Sequence, residues 1–352
     1  MRRISGNLII YSFGIFFATL MLLCGCRKSG DYPHGNAIYY WRTVFRLDDT
    51  EKRFLKENSI STLYLHLFDV VRKNGHLTPH ATLLFKDTLP EKTEIVPVIF
   101  ISNTALNDTS EIGTLAAKII SRADKMFEKN GYKKPKEIQL DFDWTASTRD
   151  RYFGILQDAK EIMRGRDGKV STTIRLHQLS EMPPPADYGA LMVYNIGDFR
   201  DPEEKNSILN MEELRKYLHY LKQYDFPLAV ALPIYQWCLV FDPSGEFRAI
   251  SNDLDPENDQ DFTQIDSIHW RAERYRSLPL GGDGEMVGGR LYPGDIIRRE
   301  RVDYSLLISA KREIELSLGG ESTKRRFILY HLDNRCIKTY ENETFTKIYS
   351  NN

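Results

Sequence analysis

The stretch "EIQLDFDWT", Glu137 to Thr145, alternates polar and apolar residues without a break. In a pleated strand alternate side chains point the same way. Gln139, Asp141 and Asp143 therefore share one face, and Ile138, Leu140, Phe142 and Trp144 share the other. The apolar face can pack beneath helices, and Trp144 is expected there. A face with two carboxylates is costly to bury unless it has a partner or a use, so this strand is expected to line a solvent-reached hollow. At a rise of ~3.3 Å per residue the two carboxylates lie ~6–7 Å apart. One charge then raises the other's pKa, which keeps a carboxylic acid protonated near neutral pH. Asp143, nearer the mouth, is the candidate for substrate contact and the candidate acid. Asp141, one pleat deeper, tunes it, and Gln139 is structural.

On either side of this strand the pattern alternates. Strand patterns run Ala37 to Phe45, Ser61 to Val70, Glu94 to Ser102, Lys169 to Leu176, Ala190 to Gly197, Pro227 to Tyr235 and Arg326 to Asn334. Helical spacing or capping signals run Asp48 to Ser59, Ser110 to Asn130, Ser147 to Gly165, Asn210 to Tyr224 and Asp303 to Leu318. Eight apolar strands, mostly separated by helices, predict an α/β fold, a closed TIM-type (β/α)8 barrel over 37–340. An open doubly wound sheet would carry a glycine-rich turn after its first strand, and none is present. Residues 236–302 form a long insertion after strand seven. It exceeds the ~15 residues of an ordinary structureless loop, so it is expected to be a lid or subdomain.

The chain of 352 residues is 41% hydrophobic and carries a formal net charge of −1. Nothing in that balance points to a nucleic-acid partner. Its N-terminus departs from the rest. Arg2 and Arg3 precede an apolar run that ends in "LCGC", Leu23 to Cys26. The run is shorter than the ~20 residues of a membrane span, and it reads as a secretory signal over 1–25. "LCGC" resembles the lipobox of bacterial lipoproteins. That resemblance implies lipidation of Cys26, a tether over 26–36, a membrane contact through the lipid, and a place in the cell envelope. Cys238 and Cys336 remain; an oxidising compartment permits a disulfide between them, and two buried free thiols fit equally well. No histidine or cysteine cluster suggests a metal, no cofactor is expected, and the chain reads as a monomer.

In a barrel of this type chemistry belongs to the carboxyl ends of the strands. Those ends supply Trp41 and Arg42, Asp69, Arg175 and His177, Tyr194 and Asn195, Tyr235 and Trp237, and His331 and Asp333. Aromatic faces stack on sugar rings, and carboxylates and amides bind hydroxyls, so this set predicts a carbohydrate partner. Arg175 is also placed to pair with Asp141 or Asp143, and His66 reads as structural. Hydrolysis would need a second carboxyl across the scissile bond, from Asp69, Asp333 or Glu285.

"QLDFDWT" resembles the fourth-strand signature of the chitinase-like glycoside hydrolases, D-x-x-D-x-D-x-E. The resemblance implies a (β/α)8 barrel acting on N-acetylated sugar polymers, with the final Glu as acid and the Asp two residues before it positioning the acetamido group. Asp141 and Asp143 match the two middle acids, the first position is Ile138, and the acid's position is Thr145. A threonine does not protonate a glycosidic oxygen at useful rates. Together "YYWRTVF", "LYLHLFDV", "VPVIFIS" and "IQLDFDWT" resemble a family of bacterial proteins, often lipoproteins, with a glycosidase-like barrel. This wider likeness implies the fold and brings no established activity with it. Two readings stand side by side: a barrel lipoprotein that acts on a carbohydrate polymer with Asp143 as acid, or one that binds or scaffolds the polymer without turnover.

Overall fold

A computed structural model describes residues 33–278, 289–319 and 325–350. Eight parallel strands close on themselves: β1 (Ala37–Tyr40), β2 (Thr62–Lys73), β3 (Glu94–Ile101), β4 (Glu137–Asp141), β5 (Lys169–Arg175), β6 (Tyr188–Met192), β7 (Leu228–Pro233) and β8 (Phe327–Tyr330). Closure is made by β1, which pairs with β8 on one side and with β2 on the other. The fold is the TIM-type (β/α)8 barrel that the alternation of strand and helix patterns predicts.

The helical ring is incomplete. Helices α1 (Asp49–Glu57), α2 (Leu115–Lys129), α3 (Arg149–Arg164), α4 (Met211–Gln223) and α5 (Tyr304–Ser317) follow β1, β3, β4, β6 and β7, and α6 (Asn334–Ile337) and α7 (Asn342–Tyr349) follow β8. After β2 the chain instead folds back as an antiparallel strand, His76–His80. After β5 it makes only the short 3-10 turn Leu176–Ser180. Between β7 and α5 stands a five-stranded antiparallel sheet built from Gln236–Phe241, Phe247–Ser251, Phe262–Gln264, His269–Ala272 and Ile296–Arg301. Its core of Val240, Trp270, Ala272 and Ile297 is separate from that of the barrel.

Inside the barrel the amino-terminal end is plugged by a polar network. Glu137 accepts from Ser171 (2.6 Å) and Tyr188 (2.5 Å), Tyr188 meets Tyr64 (2.6 Å), and Arg326 donates to Tyr64 (2.8 Å). Burial pushes the Glu137 carboxyl up, against these donors. One layer above, Tyr39 donates to Gln139 (2.7 Å), the structural role expected of that glutamine.

Three local features differ from the expectation. The regular part of β4 ends at Asp141, so Asp143 lies on the irregular segment beyond it. A bulge in β2 between His66 and Phe68 shifts the register against β3. It reverses the parity of the rest of the strand, so His66 and Asp69 come to share a side and bond at 2.7 Å. Cys238 and Cys336 are both buried, and no disulfide links them.

Candidate functional site at the barrel mouth

At the carboxyl ends of the strands a hollow of about 330 Å³ opens, toward the lower end of the ~300–1,000 Å³ of small-molecule sites. Asp141, Asp143, Arg175, His177, Tyr194, Asn195 and Trp41 line it, together with Phe100, Leu176, Met192, Ile196, Tyr217 and Tyr330. β4 and β5 bring the charged groups together. Asp141, buried, accepts from Thr173 Oγ1 (2.6 Å) and from Arg175 Nη2 (3.0 Å). Burial works against the charge on the Arg175 guanidinium, but Asp141 and Asp143 hold it firmly protonated.

Asp143 is more open. His177 Nε2 lies 3.2 Å from its Oδ1, and Gln178 donates to the same oxygen at 3.3 Å. Gln178 also donates to the Trp144 carbonyl (3.0 Å), fixing the segment that carries Asp143. Burial pushes the Asp143 carboxyl up, yet the hydrogen bond from His177 and the charge of Arg175 outweigh it and hold the group below the usual carboxylate range. It is therefore a carboxylate at neutral pH. This differs from the expectation of a protonated acid: the hydrogen bond from His177 and the charge of Arg175, not the other aspartate, set its ionisation.

The opposite wall is aromatic. Tyr194 and Tyr330 stack with centroids 4.7 Å apart, and Trp41 lies 5.9 Å from Tyr330 on one side and 4.6 Å from the His66 ring on the other. Tyr235 packs edge-on against Tyr194 and Tyr330, and its hydroxyl donates to Asn195 Oδ1. Asn195 has a left-handed backbone, φ +54°, a conformation that asparagine tolerates better than most residues. Trp237 stands next to the hollow, on the wall of a groove that also includes Asn195 and Ile196. Its indole is aimed by the buried Glu300, which accepts from Trp237 Nε1 (2.8 Å), from Ser207 Oγ (2.7 Å) and, through Oε1, from Arg298 Nε (2.8 Å).

Tyr235 and Trp237 thus stand beside the hollow, and four more residues expected at the site lie outside it. Arg42 follows the inward Trp41 and so faces outward, where it bonds Glu51 of α1 (2.8 Å) over the Tyr40 ring. Asp69 is held by His66. His331 follows the inward Tyr330 and is half-buried, and the loss of water around its ring lowers its pKa to about 4, so it stays neutral. Asp333 caps α6 and accepts from Arg335 N (2.8 Å). Glu285 lies outside the described residues. Trp144 packs against Phe153 of α3. Thr145 is exposed and turned to Ser147 (2.9 Å), off the lining of the hollow. Sequence reasoning overlooked Thr173, Gln178 and Tyr330. Strand parity marks Thr173 and Tyr330, two residues from Arg175 and from Ile328, whereas nothing local marks Gln178.

No protein-family model matches the chain, and no curated protein matches it either. Solved structures do. The spore cortex-lytic enzyme SleL of Bacillus cereus superposes with a TM-score of 0.51 at 14% identity, over 90% of this chain and 74% of that one. Catalytic domain 2 of the Group II chitinase of Ostrinia furnacalis gives a TM-score of 0.52 at 10% identity, over 91% of this chain and 97% of that one. This chain shares their barrel fold. At such identities the likeness is one of architecture alone. Among the described residues no three histidine, cysteine or acidic groups cluster so as to hold a metal ion.

Proposed function

We propose that this chain is a lipid-anchored protein of the cell envelope that binds a carbohydrate polymer at the mouth of its barrel, without the acid-catalysed step of chitinase-like enzymes. The observation that carries the reading is the pairing of Asp143 with His177 opposite the stacked Tyr194 and Tyr330. A sugar has apolar C–H faces and hydroxyl edges. The aromatic wall offers area to the first, and the Asp143 carboxylate, more than a third exposed, offers an acceptor to the second. The placement of Thr145 and the ionised state of Asp143 both weigh against a proton donor. The SleL and chitinase neighbours, named for spore cortex lysis and chitin, support a glycan as the ligand class. The "LCGC" lipobox supports the anchor at Cys26.

The test is a glycan panel presented to the full chain in detergent, with Asp143→Asn alongside. Saturable binding without new reducing ends, weakened at least tenfold by the substitution, is the expected result. Turnover that Asp143→Asn abolishes would replace this reading with the hydrolase.

A further inference from the structure

The loops at the amino-terminal end of the barrel, opposite the mouth, carry an unbalanced charge. The segment from Lys125 to Lys136, "KMFEKNGYKKPK", holds five lysines and one glutamate. It leaves α2 at Lys129 and enters β4 at Glu137. The neighbouring loop, from Arg164 at the end of α3 to Lys169 at the start of β5, is joined to it by a bond from Lys169 N to Lys136 O (2.8 Å). Lys129, Lys133, Lys136, Arg164 and Lys169 are all exposed. Several nearby acids are taken. Glu128 faces Lys134 (3.4 Å), Asp124 faces Arg166 (2.7 Å), and Glu137 points into the barrel; Asp167, Glu91 and Glu94 are exposed.

A second observation concerns the tether. Just before β1, Pro33 and His34 are bound by Arg326, whose backbone N–H donates to Pro33 O (2.9 Å) and whose guanidinium donates to His34 O (2.7 Å). The first described residues therefore lie at the same end of the barrel as the basic loops.

From these two facts we infer that the base of the barrel is a docking surface for anionic phospholipid head groups, and that the mouth points away from the membrane. The inference rests on the lipid-anchor reading for its geometry. A lipid at Cys26 would hold the base near the bilayer, where each lysine gains about fivefold in association with an anionic surface. At a strand tilt of about 36° the eight residues of β3 rise roughly 20 Å along the barrel axis, more than twice the Debye length of ~8 Å at physiological salt. The carboxylates of the mouth thus lie beyond the repulsion of the same surface, open to a glycan outside it.

Amine-reactive labelling tests this on the full chain reconstituted in phosphatidylcholine vesicles with and without phosphatidylglycerol. Lys129, Lys133, Lys136 and Lys169 are expected to label about fivefold more slowly when phosphatidylglycerol is present, while the exposed Lys52 and Lys205 are unchanged. Replacing Lys129, Lys133 and Lys136 together by Gln should remove the slowing at Lys169. Equal labelling on both vesicles overturns the inference, as does equal slowing by soluble polyglutamate, which would mark an acidic protein partner instead. Failure of the anchor is read separately: a chain without lipid does not float with pure phosphatidylcholine, whatever its lysines do.

Discussion

Asp143 shows how one side chain takes its character from its neighbours. Its carboxyl is held below the usual range because His177 and Arg175 overcome the burial that would raise it. A carboxylate of depressed pKa keeps its charge until the pH falls below that of an ordinary aspartate. Removing His177 takes away the main opposing influence and leaves the burial, so the pKa rises. Carboxyl carbon NMR of Asp143 should therefore titrate at lower pH in the native protein than in His177→Ala. Glycan affinity should likewise fade at higher pH in the variant. Asp141 makes the complementary case. It is buried, and its bond to Arg175 spans two strands. Asp141→Ala leaves the guanidinium with only Asp143 as counter-charge and should cost about 3 kcal/mol in chemical denaturation. At position 145, glutamate would complete the motif on paper. Because Thr145 lies off the hollow's lining, Thr145→Glu should release no reducing ends from chitin oligosaccharides.

Strand patterns and strand geometry part company at the element ends. The regular strand of "EIQLDFDWT" ends at Asp141; beyond it the Trp144 N–H turns back to the Phe142 carbonyl (3.1 Å), yet Asp143 still lines the hollow and Trp144 still packs on Phe153. In β2 the bulge exchanges inside for outside within one residue, and no residue type in "LHLFDV" announces it. At the start of the insertion the decisive partner lies 63 residues away: Glu300 on Ile296–Arg301 takes donors from Trp237, Ser207 and Arg298. Arg298 and Glu300 are fully buried, so Glu300→Ala strands a charge and three donors. A loss of about 3–5 kcal/mol is expected, together with altered Trp237 fluorescence before the barrel unfolds.

Over the whole molecule, β1 closes the barrel by pairing with β8 and β2, so none of the eight barrel strands is left as a sheet edge, and the strand His76–His80 adds on outside that closure. The state of the thiols is set by the packing. Burial pushes Cys238 up to about 12, so it should react with thiol reagents only in denaturant. Cys336 is buried in the barrel's core, away from the separate core around Cys238, so a reductant should leave the unfolding midpoint unchanged.

The sequence by itself determined the barrel, the interruption after the seventh strand and most of the mouth's polar residues, because period-two alternation and apolar strand bodies are local properties of the chain. Trp41, Asp141, Asp143, Arg175, His177, Tyr194 and Asn195 were all legible as strand ends. Tertiary structure alone decided which of those ends converge. Parity turned Arg42 and His331 outward, a capping role claimed Asp333, and the bulge gave Asp69 to His66. It also decided the charge of Asp143, since an ionisation equilibrium depends on the cations and the burial around it, and both are assembled by strands distant in sequence.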